Sequence, residues 1–193
     1  MRRRAVFLDR DGVLNELVPD PTSGLPESPL DPRDVRLVAG AAAAAADLQR
    51  AGYAVAVVTN QPAAAKGTVS VEQLHEVHGR VLELLSEEGV ELDAWRICLH
   101  HPDGVVPELS GACECRKPRP GMLFAVAGEL DLDLSGSWMV GDTDADVEAG
   151  RAAGCRAILI DHPASAHKRA GAAAPDLRAA DLGDASTLLL RAA

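Results

Sequence analysis

No run of apolar residues in this chain approaches the roughly 20 that a membrane-crossing helix needs. Arg2-Arg3-Arg4 has the charge of a secretory n-region, but Asp9, Arg10 and Asp11 interrupt the apolar stretch that would have to follow. The expectation is a cytoplasmic protein without a membrane partner, its cysteines reduced. An excess of positive charge is missing too. Nineteen Lys and Arg face 29 Asp and Glu, for a formal charge of −10 and a pI near 5.0, which argues against nucleic acid as a partner. Lysine itself is scarce, three against sixteen arginines, so a lysine at a special place is informative. Neither an internal repeat nor a linker is visible. The length of 193 residues predicts one domain with a real core, spanning 1–193, and a monomer by default.

What is present is alternation. Strands are predicted at Arg4–Leu8, Ala54–Val58, Ala94–Cys98, Trp138–Val140 and Ala157–Ile160. Helices are predicted at Gly40–Ala51, Val71–Glu88, Gly121–Leu130 and Ala145–Ala153. Short, largely apolar strands separated by helices imply an α/β fold: a three-layer, doubly wound parallel sheet covered on both faces. Trp95 and Trp138 fall in strands and are expected in the core. Residues 16–39, rich in Pro and Asp, read as a loop or flap. Residues 99–119 form a long irregular loop that needs its own explanation. Neither is long enough for a separate cap domain.

Parallel sheets bind ligands beyond the carboxyl ends of their strands, and here those ends turn polar. The first strand runs into Asp9-Arg10-Asp11-Gly12, the second into Thr59-Asn60-Gln61, and the fourth into Gly141-Asp142; Arg116-Lys117-Pro118 follows the irregular loop. Residues two apart on extended chain face the same way, so Asp9 and Asp11 can share a site, and Gly12 lets the chain turn behind them. Asp142 and Asp146, four apart, share a helix face if a helix begins there. Carboxylates converging on one point suit Mg²⁺, a hard cation that takes oxygen ligands. Thr59 offers a hydroxyl, the backbone after it can hold an anion, and Lys117 supplies a compact positive charge. Together these suit phosphoryl transfer, in which catalysis is mostly positioning and charge stabilisation. Asp9 is the expected nucleophile, forming an aspartyl-phosphate, and Asp11 the expected acid and base.

The cysteines are grouped. Cys98-Leu99-His100 and Cys113-Glu114-Cys115 flank the irregular loop, a donor set that suits tetrahedral structural Zn²⁺. Zinc would supply the folding energy the loop lacks and place Arg116 and Lys117 at the site. His101 is a rival ligand to His100. Cys155 reads as an inert core thiol, and His75, His78, His162 and His167 as surface or structural residues.

FLDRDGVLN, VVTNQ, CRKPRPGM and VGDTDADVEAG, in this order over about residues 5–160, resemble the four motifs of the haloacid-dehalogenase (HAD) superfamily of phosphatases. DRDGVLN, CLHHP and CECRKPRPGM together look like its small capless histidinol-phosphatase and heptose-bisphosphatase group. That resemblance implies a HAD-like Rossmannoid fold, Asp9 as nucleophile and Asp11 as acid and base. It implies Mg²⁺ on Asp9, the Asp11 backbone carbonyl and Asp142, with Asp146 supporting the metal or Lys117. It implies phosphate held by Thr59, Asn60 and Lys117, and Arg116 near the substrate, a small phosphorylated metabolite. A sugar phosphate of the D-glycero-D-manno-heptose-1,7-bisphosphate type comes first, histidinol phosphate second. Two positions depart from the pattern. Pro62 follows TNQ where the group has Ser and then Gly, which removes an N–H donor. Thr143 stands where heptose-bisphosphate phosphatases carry a basic residue. Two other classes share parts of the pattern: a phospho-receiver domain, disfavoured by the order of the motifs, and a zinc-organised binding module without catalysis.

Overall fold

The computed structural model describes residues 2–171 and 173–192. In chain order the elements are β1 (Ala5–Leu8), β2 (Val18–Pro19), β3 (Pro26–Glu27), α1 (Ala41–Arg50), β4 (Ala54–Asn60), α2 (Val71–Glu87), β5 (Ala94–Cys98), α3 (Gly121–Glu129), β6 (Trp138–Gly141), α4 (Asp144–Ala152), β7 (Arg156–Ile160), β8 (Leu177–Ala179) and α5 (Leu182–Arg191). Six strands form one sheet in the order β5-β4-β1-β6-β7-β8. All five pairings are parallel.

The period-2 geometry of a strand sorts its side chains between two cores. Val6, Leu8, Val55, Val57, Trp138, Val140, Ile158 and Ile160 face one way and pack on α1, α2 and α5. Ala5, Phe7, Ala54, Ala56, Val58 and Met139 face the other way and meet Met122, Leu123 and Val126 of α3 and Ala149 of α4. β1 lies in the middle and all four of its residues are wholly buried. Burying one such side chain, Phe7 for example, contributes about 1.5–3 kcal/mol. The helices start where side chains satisfy free N–H groups. Ser70 accepts from the Gln73 N–H at α2, Asp181 from the Asp184 N–H at α5, and Thr143 and Asp146 form a reciprocal box at α4.

The main elements match the sequence expectation to within one or two residues. Three differences stand out. The segment 16–39 is not featureless, because β2 and β3 pair as a short antiparallel hairpin. β8 and α5, which lie beyond the last element the sequence reading assigns, extend the sheet and cover it. Trp95 is not a core residue: it sits on the edge strand β5, is 39% exposed, and rests its ring against His78 with centroids 4.7 Å apart. Trp138, on the interior strand β6, is buried as expected.

Candidate active site

After β1 the chain runs outward to β4 on one side, then returns to β6 on the other. The tips of these three adjacent strands therefore border the crevice where parallel sheets hold ligands. Asp9 continues β1, its N–H donating to the Val140 carbonyl of β6 at 2.9 Å. Thr59 and Asn60 end β4, and Asp142 follows β6. The turn after Asp9 is made by Gly12, with φ of +79°. A Cβ there would also lie 2.2 Å from an Asp142 carboxylate oxygen, so glycine is required both for the turn and for the approach of β6.

Lys117 is the hub. The residue is 3% exposed, and its ammonium reaches Asp9 Oδ1 at 2.9 Å, Asp146 Oδ1 at 2.5 Å and the Val58 carbonyl at 2.7 Å. Burial alone would lower its proton affinity, but Asp146 and Asp9 outweigh burial and raise it, so it stays charged. Asn60 fixes its backbone through two bonds: Nδ2 donates to the Lys117 carbonyl at 3.0 Å, and the Lys117 N–H donates to Oδ1 at 3.1 Å. The Asn60 side chain thus holds the lysine in place. Thr59 is buried, and its hydroxyl accepts from Gln61 Nε2 at 3.0 Å. Arg116 lies at the edge, Nη1 donating to the His100 carbonyl at 3.1 Å.

Asp9, Asp142 and Asp146 bring carboxylate oxygens within 4.8 Å of one another. One ammonium cannot balance three such charges. Burial, then Asp146, push Asp9 up to about 6 despite Lys117, and burial with Asp9 and Asp146 pushes Asp142 up to about 8. A cluster of buried oxygens with surplus negative charge fits a hard divalent cation, so the donor set suits Mg²⁺. Asp146 also accepts from the Thr143 N–H at 3.0 Å and its hydroxyl at 2.6 Å. Thr143, a departure in the sequence, is here the cap of α4.

Asp11 is treated differently. Burial would raise it, but the Arg10 guanidinium, Asn15, Gln61 and Ser28 together hold it below the usual carboxylate range. Arg10 is wholly buried, and its Nη2 donates to both Asp11 oxygens at 3.0 and 3.1 Å. Gln61 Nε2 donates at 2.5 Å and Asn15 Nδ2 at 2.9 Å. Arg10, Asn15 and Gln61 lie within the motifs, but sequence reasoning gives them no role. The signal available is an arginine between two aspartates at the end of an apolar strand. Gln61 and Ser28 also line a cavity of about 460 Å³ between the β2–β3 hairpin and the 61–68 turn. Asp20, Asp31, Asp34 and Lys66 are among its other walls.

The second donor cluster is Cys98, His100, Cys113 and Cys115. Sγ–Sγ separations are 3.7, 3.1 and 3.3 Å, and His100 Nδ1 lies 3.9 and 3.5 Å from Cys98 and Cys115. Zn–S bonds of about 2.3 Å in a tetrahedron give edges of about 3.8 Å, so the set is compatible with zinc. All four cysteines are free thiols. His101 lies outside the cluster and accepts from the Asp103 N–H at 3.1 Å. Cys155 is buried apart, its thiol pushed up to about 12 by burial, as expected for an inert group.

The sheet order and the strand-tip carboxylates with their lysine define the class, and comparison with known proteins agrees. Residues 114–185 match the family model described as HAD-hydrolase-like. The D-glycero-beta-D-manno-heptose-1,7-bisphosphate 7-phosphatase of Pseudomonas aeruginosa is 39% identical over 160 residues, 83% of this chain and 82% of that protein. The protein of that name from Mesorhizobium japonicum is 41% identical over 182 residues, 93% and 79% of the two chains. The crystal structure of D,D-heptose 1,7-bisphosphate phosphatase from B. bronchiseptica, complexed with magnesium and phosphate, superposes with a TM-score of 0.80 at 31% identity, covering 98% and 99%. The chain belongs to the haloacid-dehalogenase-like hydrolases, and it is a phosphatase. Among the described residues, no helix is long and apolar enough to cross a membrane.

Proposed function

We propose that the protein removes one phosphate from a sugar phosphate of the heptose-1,7-bisphosphate type, with Asp9 as nucleophile. The observation that carries the proposal is the grip of Lys117 on Asp9 and Asp146 at the tips of three adjacent strands, beside a roomy cavity. Relatives around 40% identical bear the heptose-bisphosphatase name, and the magnesium and phosphate of the B. bronchiseptica enzyme support the same reading.

The steps follow from this chain's own groups. An Asp9 carboxylate oxygen attacks phosphorus, the ester P–O bond breaks, and the leaving alcohol takes a proton from Asp11. Asp11 is ionised in the free site; a phosphoryl dianion beside it raises its proton affinity, so it can arrive protonated. Water then attacks the phosphorus of the aspartyl-phosphate, gives its proton to Asp11, and releases phosphate and Asp9. Lys117 and Thr59 meet the charge on the equatorial oxygens, Asn60 holds Lys117 in register, and Arg116 faces the substrate. Asp9, the Asp11 carbonyl and Asp142 would hold Mg²⁺, with Asp146 in support, and the bound ion would neutralise charge on the transferred group. Cys98, His100, Cys113 and Cys115 would hold structural zinc. Free thiols of this kind persist in a reducing compartment, which supports a cytoplasmic site of action. In this reading residues 1–193 work as one domain, with the hairpin and the zinc loop framing an open site.

One observation favours histidinol phosphate as the second reading. The cavity walls carry Asp20, Glu27, Asp31 and Asp34 against Lys66, a setting that suits a cationic leaving group. Steady-state phosphate release from a panel of phosphorylated metabolites decides. The proposal expects the highest kcat/KM on heptose bisphosphate. A preference for histidinol phosphate replaces the substrate, and no Mg²⁺-dependent release from any member overturns the catalytic reading.

A further inference from the structure

The donors around Asp11 are unevenly shared between its two oxygens. Oδ1 takes three bonds: Arg10 Nε at 3.1 Å, Arg10 Nη2 at 3.0 Å and Asn15 Nδ2 at 2.9 Å. Oδ2 takes Gln61 Nε2 at 2.5 Å and, at 3.1 Å, the same Arg10 Nη2 that Oδ1 already holds. A carboxylate oxygen has two lone pairs. Oδ1 is therefore full, and Oδ2 is the oxygen with room for a transferable proton. Gln61, unlike Arg10, bonds Oδ2 alone. Its amide is held in turn. The residue is 1% exposed, and its backbone N–H donates to the Cys98 carbonyl at 2.8 Å. Nε2 also donates to Thr59 Oγ1 at 3.0 Å. An amide nitrogen has two hydrogens, one for each of these acceptors.

We infer that Gln61 is a positioning residue for proton transfer: its amide, braced on Thr59, aims Asp11 Oδ2 at the leaving oxygen. The inference rests on reading Asp11 as the general acid. Arg10 and Asn15 pin one oxygen, which leaves the carboxyl free to swing the other about it, and Gln61 stops that swing. As Asp9 bonds to phosphorus and the ester P–O bond breaks, the proton on Oδ2 passes to the alcohol oxygen. A poor leaving group needs that proton and an aryl oxide does not, so loss of aim is read in the choice of substrate. Damage done through Thr59 would differ. The phosphoryl group is common to every ester, so all esters would suffer alike.

The test measures kcat/KM of the full-length protein with Mg²⁺ on two esters, for wild type, Asp11→Ala, Gln61→Met and Gln61→Ala. One ester is heptose 1,7-bisphosphate, or whichever alkyl phosphate the panel ranks first; the other is p-nitrophenyl phosphate. Near-ultraviolet circular dichroism checks the fold. Gln61→Met keeps the bulk of the side chain and loses the donor. It is expected to lose about tenfold or more on the alkyl ester and less than about threefold on the aryl ester. Should it fail to fold, Gln61→Ala, which widens the cavity that Gln61 lines, decides alone. Equal losses on both esters in the Gln61 variants, with a selective loss in Asp11→Ala, overturn the inference and spare the Asp11 assignment. Equal losses on both esters in Asp11→Ala overturn that assignment and the inference with it.

Discussion

Asp9, Asp142 and Asp146 stand on the tips of two paired strands and the first turn of a helix, whereas three of the four thiol and imidazole ligands hang from loop. Cys98 ends β5; His100, Cys113 and Cys115 lie in a stretch whose regular structure is one 3₁₀ turn at Pro107–Leu109. In the first cluster the fold determines where the carboxylates are, and an ion would answer a charge surplus that the fold created. In the second the backbone offers little scaffold, so an ion would help to make the fold. Two sets of metal-type ligands in one protein can thus differ in kind: removing the ion should cost function in one case and structure in the other.

The largest expected effect lies at the strand tips. Asp9→Asn should lower kcat by about 10⁴, some 5 kcal/mol, with a melting temperature equal to or above wild type. Removing one of three crowded charges relieves the burial cost and the repulsion from Asp146 that together push Asp9 up to about 6. Steady-state kinetics with differential scanning calorimetry checks both halves. A variant that loses activity through unfolding would erase the contrast between the clusters. Next comes the thiol cluster. Cys115→Ser should lose bound zinc, about 3 kcal/mol or more of stability, and activity by more than tenfold, because Lys117 is two residues away. Metal analysis with thermal melting checks it, and an unchanged melting temperature would show that this loop needs no ion.

The smallest effect concerns a buried polar group that belongs to neither cluster. His78 is 2% exposed, its ring nitrogens have no hydrogen-bond partner, and burial with Arg10 nearby brings it down to about 4. Below the ordinary histidine value of about 6.5 the unfolded chain binds a proton that the folded chain does not, so stability present above 6.5 is lost as pH falls toward 4. At about pH 5 the loss is about 2 kcal/mol. His78→Gln should lose that much less between pH 7 and 5, read by urea unfolding at both values. Equal losses would mean that His78 is not held neutral.

Legibility in the sequence follows the same division. Carboxylates that end an apolar strand are conspicuous, and so is a lysine in an arginine-rich chain, so the residue order alone points to Asp9, Asp11, Asp142, Asp146 and Lys117. The structure gathers Asp9, Lys117, Asp142 and Asp146 in one cluster, with Asp11 on a separate network beside it. Contacts that depend on a neighbour's orientation leave no such trace. The sequence offers Asn60 as a phosphate ligand but does not announce that its side-chain amide spans the Lys117 backbone 57 residues away. Arg10, a charge between two acids, gives no sign of burial, but it is wholly buried. Trp95 reads as core from its place in an apolar strand; edge position, invisible in a local pattern, exposes it. β8 is three residues long and its middle arginine is exposed, which leaves no apolar run to detect.

The central claim is capture of the phosphoryl group by Asp9, and trapping tests it most directly. The protein is mixed with substrate and Mg²⁺, quenched during turnover, reduced with borohydride, digested, and read by mass spectrometry. An acyl phosphate at position 9 is converted to homoserine, and the account predicts that product at residue 9 and at no other carboxylate. Homoserine at Asp11 or Asp142, or steady turnover with Asp9 unmodified at every quench time, would contradict it.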